Sequence, residues 1–82
     1  MDKNEIRVME KEAAKYMVSG RYEEAMGIYN TLYRKTGKAG YLQTMFDCAA
    51  LLNDKWRKEK VVREGVKRRL WNEKALDLLG ED

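Results

Sequence analysis

The stretch AAKYMVSGRYEEAMGIYNTL, residues 13–32, decides how this chain folds. It places a turn at Gly20 between two segments in which small and aromatic residues recur at helical spacing. Ala13 before the turn and Ala25 after it allow two helices to approach closely, and the tyrosines around them fill the remaining space. The stretch therefore predicts two antiparallel helices that pack against each other.

The rest of the chain has the same kind of pattern. Apolar residues recur at helical spacing in four segments, which are separated by glycines or by an Asn-Asp pair. The chain has no proline, a residue that breaks helix interiors. We predict helices at about residues 3–19, 22–35, 39–52 and from 55 to at least 70. The predicted fold class is all-α, a small antiparallel bundle of four or five helices in one domain of residues 1–82.

The number of helices depends on the region around Trp71. On one continuous fourth helix, Val62 and Val66 lie on one face, whereas Trp71 and Leu78 lie on the opposite face. A straight helix cannot turn both apolar sets toward one core. Either the helix breaks near Trp71 and a short fifth helix folds back, or Trp71 and Leu78 contact a partner chain.

Composition limits the possible classes of protein. A hydrophobic share of 44% is too high for a disordered chain. No run approaches the roughly 20 apolar residues of a membrane span, and the charged start MDKNEIRVMEKE differs from a signal peptide. The single cysteine, Cys48, cannot form a disulfide within the chain, which favours a reducing compartment. We expect a cytoplasmic protein without membrane contact.

Few residues suit catalysis. Histidine, the commonest general base, is absent, and no activating partner is evident for Ser19. Cys48 lies beside Ala49 on an apolar helix face, so we interpret it as a core residue rather than a reactive thiol. Neither a glycine-rich phosphate loop nor metal-ligand spacing occurs. We expect no enzyme, no catalytic residue, no metal or cofactor, and no small-molecule substrate.

The candidate contact surface lies on the fourth predicted helix. Residues 55–69 contain eight basic and two acidic residues, a net charge of +6, whereas residues 70–82 have a net charge of −3. Cations at helical spacing, with Trp71 continuing their row, suit an acidic protein surface or phosphates. The same pattern is also typical of a solvated helix face. The candidate contact residues are Arg57, Lys60, Arg63, Lys67, Arg68, Trp71 and Leu78.

Residues 6–38 resemble a tetratricopeptide (TPR) repeat, a unit of two antiparallel helices of about 34 residues. The matching residues are Ala13, Tyr16, the turn Gly20-Arg21-Tyr22, Ala25, Tyr29 and Leu32. The resemblance implies a TPR-like hairpin in residues 1–38. It also implies a degenerate second hairpin in residues 39–80, in which Ala49, Leu52 and Trp56 correspond to Ala13, Tyr16 and Tyr22.

The resemblance also implies a function. TPR proteins generally bind peptides or helices on the surface made by their first helices. At the places of the family's carboxylate clamp this chain has Glu10 and Ala14, and two hairpins are fewer than the three or more usually needed. We therefore expect a non-catalytic adaptor or regulator that makes a flatter contact with an unidentified protein, or a homodimer. The alternative is a small nucleic-acid-associated protein that binds phosphates non-specifically through residues 55–69.

Overall fold

Four α-helices and a 3₁₀-helix make up most of the computed structural model, which describes residues 1–79 without the side chain of Leu78. They are α1 (Lys3–Val18), α2 (Tyr22–Thr36), α3 (Ala39–Leu51), α4 (Lys55–Lys67) and the 3₁₀-helix (Glu73–Leu79). The predicted all-α class is confirmed. The predicted end of the fourth helix, at residue 70 or later, is wrong, because α4 ends at Lys67.

Aspartates begin two of the helices. Asp2 accepts a hydrogen bond from the Glu5 backbone N–H at 2.8 Å at the start of α1. Asp54 accepts one from the Arg57 backbone N–H at 3.0 Å at the start of α4. Each bond satisfies an N–H group that has no partner inside its helix. These caps explain why both helices begin directly after an aspartate.

Three helices end in the same kind of turn. After α1, α3 and α4, one residue adopts the left-handed conformation: Gly20 (φ 75°), Asn53 (φ 54°) and Arg69 (φ 58°). In each turn this residue donates to the carbonyl three residues back, and the next residue donates to the carbonyl five residues back. This is the Schellman arrangement, which satisfies carbonyls at a helix end. Since Gly20 and Asn53 are 33 residues apart, the α1–α2 and α3–α4 hairpins repeat with that offset.

The offset corrects the correspondence that the sequence suggested between the hairpins. Tyr16 and Ala49 accept the equivalent hydrogen bonds in the two turns, so Tyr16 corresponds to Ala49 rather than to Leu52. Trp56 falls on the place of an exposed glutamate in the first hairpin and is itself 65% exposed. Matching residue types across the hairpins misplaced these residues, because the hydrogen-bonded turns set the register.

Each helix packs against the next one along the chain. Within residues 1–79, no close backbone contact joins α1 to α3 or α2 to α4. Side chains join these alternate helices instead: the Tyr41 hydroxyl donates to Glu10 at 2.9 Å, and the Cys48 thiol donates to Met17 Sδ at 3.3 Å. The two hairpins thus lie side by side in a slab with Cα extents of 37 × 27 × 13 Å.

The core lies between the hairpins. Ala13 and Ala25 are fully buried, as their predicted role in the close approach of α1 and α2 requires. Cys48 is also fully buried, and burial raises the pKa of its thiol, with a smaller contribution from the charge of Asp47. The complete burial of its side chain confirms Cys48 as a core residue. The buried core cluster consists of Ala25, Met26, Leu42, Met45, Cys48, Ala49 and Val61.

The chain folds back after α4. The backbone N–H groups of Leu70 and Trp71 donate to the carbonyl of Gly65 at 2.9 and 3.1 Å. The indole of Trp71 lies directly on Gly65, and it packs against the core cluster. The 3₁₀-helix that follows packs against α4. Of the two alternatives for Trp71, the structure therefore has the helix break and a short fifth helix.

Candidate functional site

An open groove lies between α2 and α4. The two helices are not in close contact, and together with α3 they enclose about 670 Å³ that is open to solvent. Its floor is apolar and largely buried, and it consists of Met26, Leu42, Met45 and Val61. We call this feature the α2–α4 groove.

One row of side chains on each helix forms a wall of the groove. On α2 the row has the spacing i, i+4, i+7, i+11, which lies along one helix face. It consists of Glu23, Gly27, Asn30 and Arg34. The opposite wall consists of residues of α4 and of Arg68, which directly follows that helix: Trp56, Arg57, Lys60, Glu64 and Arg68.

Two polar contacts cross the groove from α2 to α4. Arg57 Nη1 lies 3.2 Å from Glu23 Oε1 near the start of both helices. The Tyr33 hydroxyl donates to Glu64 Oε2 at 2.9 Å near their ends. Ten residues of α2 separate the two contacts, which corresponds to about 15 Å along the helix. The contacts therefore bound a central section of the groove.

The Tyr33 phenol stays protonated in its contact with Glu64. Burial raises the pKa of the Tyr33 phenol, and the hydrogen bond to Glu64 raises it further. The phenol is thus neutral at physiological pH and acts as the donor, while the carboxylate accepts. Glu64 also accepts from Arg68 Nε at 3.0 Å, so the Glu64 carboxylate is bonded to both Tyr33 and Arg68.

The residues that line the groove carry a net positive charge. Both carboxylates are already bonded, Glu23 to Arg57 and Glu64 to Tyr33 and Arg68. Arg34 forms no ion pair within residues 1–79, and the Lys60 ammonium lies 4.4 Å from the centroid of the Trp56 ring. The charged lining residues are four cations and two carboxylates, a net charge of +2: Arg34, Arg57, Lys60, Arg68, Glu23 and Glu64.

Three of the candidate contact residues from the sequence line this groove, namely Arg57, Lys60 and Arg68. The others do not. Arg63 pairs with Glu59 at 2.8 Å on the exposed surface of α4, and Lys67 is exposed outside the groove. The side chain of Leu78 lies outside the described part of the chain.

Trp71 does not continue the row of cations, as the sequence suggested. That suggestion assumed that α4 extends past residue 70, but the helix ends at Lys67. The left-handed turn at Arg69 then directs the indole back onto Gly65. Trp71 is consequently half-buried against the core rather than aligned with the cations.

The sequence reasoning missed the α2 wall. The one feature of the sequence that could have indicated this wall is Gly27, because a glycine inside a helix lowers stability by about 1 kcal/mol relative to alanine. Gly27 does not have positive φ, and apart from the nearby α2 backbone a Cβ built on it would have no atom of the described residues 1–79 within 4 Å. Neither backbone conformation nor packing requires a glycine here. The local cost of Gly27 therefore needs another explanation.

No protein-family model, curated protein or solved structure matches this chain. Within residues 1–79, no group of three His, Cys, Asp or Glu side chains is placed to hold a metal ion. In the same residues, no helix has the length and apolar character that crossing a membrane requires. Function is therefore inferred from the α2–α4 groove itself.

Proposed function

We propose that this protein is a non-catalytic cytoplasmic adaptor or regulator that binds another protein through the α2–α4 groove. The observation that carries the proposal is an apolar floor beneath a rim of both charge signs. Protein interfaces typically have an apolar centre and a polar rim, with aromatic residues, Met and Arg enriched. Met26 and Met45 in the floor, with Trp56 and Arg57 in the wall, fit that composition.

The shape of the groove suits a peptide segment. Two helices flank it and a third closes its base, an arrangement into which a helical or extended segment can dock. A volume of about 670 Å³ admits several side chains. We therefore propose a contact in a groove rather than the flatter contact that the sequence predicted.

The repeated hairpin supports the TPR-like part of the proposal. The hairpins repeat with an offset of 33 residues, close to the TPR period of about 34. Backbone contacts join each helix to the next one along the chain, as in stacked-repeat proteins. In such an arrangement α2 and α4 are the second helices of their units. The proposed contact surface would then lie opposite the one that TPR proteins generally use.

Phosphate binding through residues 55–69 is the alternative proposal, and the ion pairs of α4 favour it less. Arg57, Arg63 and Arg68 each lie within 3.3 Å of a carboxylate oxygen. A phosphate would have to displace these carboxylates or approach past them. The apolar floor beneath the groove offers a phosphate nothing to bind.

A photo-reactive amino acid at Asn30 tests the proposed function in the cells that make the protein. Asn30 lines the groove, whereas the matched control, Ala14, is exposed on α1, which contributes nothing to the groove. We expect protease-sensitive cross-linked products from position 30 that are absent from position 14. A product with twice the mass of the chain identifies a homodimer. Nuclease-sensitive products would support the alternative, and equal products from both positions would contradict the proposal.

A further inference from the structure

Resting on the proposed function, we infer that the α2–α4 groove binds an acidic segment of a partner protein. The segment places one aliphatic or aromatic side chain over Gly27, between the two contacts that cross the groove. Its carboxylates pair with Arg34 on α2 and with Lys60 on α4. The position of Gly27, the composition of the floor and the balance of charge each support one part of this assignment.

The position of Gly27 supplies the space for the anchor. It lies one helical turn after Glu23 and six residues before Tyr33, and these two residues form the cross-groove contacts. At this point the α2 wall has no side chain, and apart from the nearby α2 backbone no described atom of residues 1–79 lies within 4 Å of where a Cβ would stand. A partner atom can therefore approach the α2 backbone between the contacts.

The surfaces around this space suit an apolar side chain. Met26 and Met45 lie in the floor, and methionine adapts its shape to aliphatic and aromatic groups of different outline. Trp56, 65% exposed, stands on the opposite wall. An exposed tryptophan beside a methionine floor is the composition of an interface anchor site.

The charge balance selects an acidic segment. Glu23 and Glu64 are already bonded to groups of the protein itself, so they offer little to a basic ligand. Within residues 1–79, neither Arg34 nor Lys60 has an ion-pair partner, and the Lys60 ammonium lies over the exposed Trp56 ring. Opposite charges across an interface increase the rate of association and exclude partners of the same charge. A net charge of +2 in the groove therefore favours carboxylates.

Peptide selection on the intact 82-residue protein tests the inference. Random 12-residue peptides displayed on phage are the probe, and the enriched sequences are synthesised and measured by fluorescence anisotropy at about 50 and 300 mM salt. We expect the enriched peptides to carry a net negative charge and one aromatic or aliphatic residue in common. Their binding should weaken at the higher salt concentration.

Two pairs of variants locate the site. Gly27→Leu fills the gap, and its control is Gly40→Leu, because Gly40 is also helical, exposed and open around its Cβ but lies outside the groove. Lys60→Glu reverses a groove charge, and Lys67→Glu makes the same change outside it. We expect Gly27→Leu and Lys60→Glu to weaken binding by about tenfold or more, and both controls to change it by less than about twofold.

The outcomes separate the two proposals. Enriched peptides that are basic, or that bind Gly27→Leu as tightly as the parent protein, would overturn the acidic-segment inference while leaving a protein contact in the groove. A selection without any enriched peptide would also overturn the inference, whereas the cross-links from Asn30 test the proposed function independently. Tighter binding of an oligothymidylate probe than of every peptide would favour the nucleic-acid alternative. Circular dichroism of each variant checks that its helices are retained.

Discussion

Gly65 and Gly27 are a matched pair that tests the fold-back of Trp71. Both glycines lie inside helices, Gly65 in α4 and Gly27 in α2. A Cβ on Gly27 would meet no other side chain of the described residues within 4 Å, whereas a Cβ on Gly65 would lie 2.5 Å from Cε3 and 2.7 Å from Cδ2 of Trp71. We therefore expect Gly65→Ala to displace the Trp71 ring, and Gly27→Ala to stabilise α2 without displacing any side chain.

The expected difference follows from two terms. Alanine is favoured over glycine by about 1 kcal/mol inside a helix, and this term is common to both variants. At Gly65 the ring must also retreat by about 1 Å to reach ordinary contact distance, and adding a methyl to a packed site costs roughly 1–3 kcal/mol. Gly65→Ala should thus be less stable than Gly27→Ala by about 1–3 kcal/mol. Each 1 kcal/mol corresponds to about 4–8 °C in Tm for a domain of this size.

Fluorescence in urea measures both the stability and the position of the ring. The chain has two tryptophans, so the experiment uses the Trp56→Phe background, in which the half-buried Trp71 is the remaining one. We expect the emission of Trp71 to shift to the red in Gly65→Ala before any unfolding occurs. In Gly27→Ala the emission should remain unchanged, and the urea midpoint should rise.

Two results would refute this reasoning. Equal stability of the two alanine variants would mean that Gly65 and Trp71 do not pack as closely as the structure describes. Unchanged Trp71 emission in Gly65→Ala would mean that a methyl group at position 65 does not displace the indole. The α4 break would then need an explanation other than the contact with Gly65.

Two further predictions concern caps and tyrosines. Asp54→Ala removes the N-cap of α4 and a carboxylate 3.3 Å from Arg57 Nη1, so urea unfolding should show a loss of about 1–2 kcal/mol. Asp2→Ala should cost less, because Asp2 is exposed at the start of α1, and equal losses would contradict this. Burial raises the pKa of Tyr33 and Tyr41 in the folded state, and their glutamate partners raise it further. The two protonated tyrosines therefore contribute stability that is fully present below the pKa of about 10 that tyrosine has in the unfolded chain. This stability is lost as the pH rises through their pKa in the folded chain. The free energy of unfolding should fall above about pH 10 in urea titrations, and less steeply in the Tyr33→Phe/Tyr41→Phe double variant; identical slopes would contradict this.

Most of the fold was predictable because local physical chemistry decides it. Helical periodicity identified α1, α2 and α3 to within a residue or two at their ends, since an amphipathic face and a turn residue are both local signals. The end of α4 was not predictable in this way. The residues after its end, Arg68, Arg69 and Leu70, are good helix formers, so nothing local stops the helix at Lys67. The break depends on Arg69 adopting a left-handed conformation that arginine rarely takes. The contact of Trp71 with Gly65 accompanies that turn.

The candidate site was predictable only in part. The excess of cations in residues 55–69 pointed to Arg57, Lys60 and Arg68, which line the groove. The carboxylates that pair with Arg57 and Arg68, and the α2 wall opposite them, depend on which helix faces meet. A single sequence does not encode the facing of distant helices in any local pattern. The sequence shows a glycine at position 27, but only the structure shows that no other described side chain fills the space beside it.

The sequence by itself determined the all-α class, the positions of three helices, and the burial of Ala13, Ala25 and Cys48. Each of these depends on residue size, hydrophobicity or backbone preference over a short stretch. Tertiary structure alone decided the 33-residue register of the hairpins, the fold-back of Trp71 and the existence of the α2–α4 groove. These features arise from contacts between residues far apart in the chain, and such contacts are set by how whole helix faces pack together.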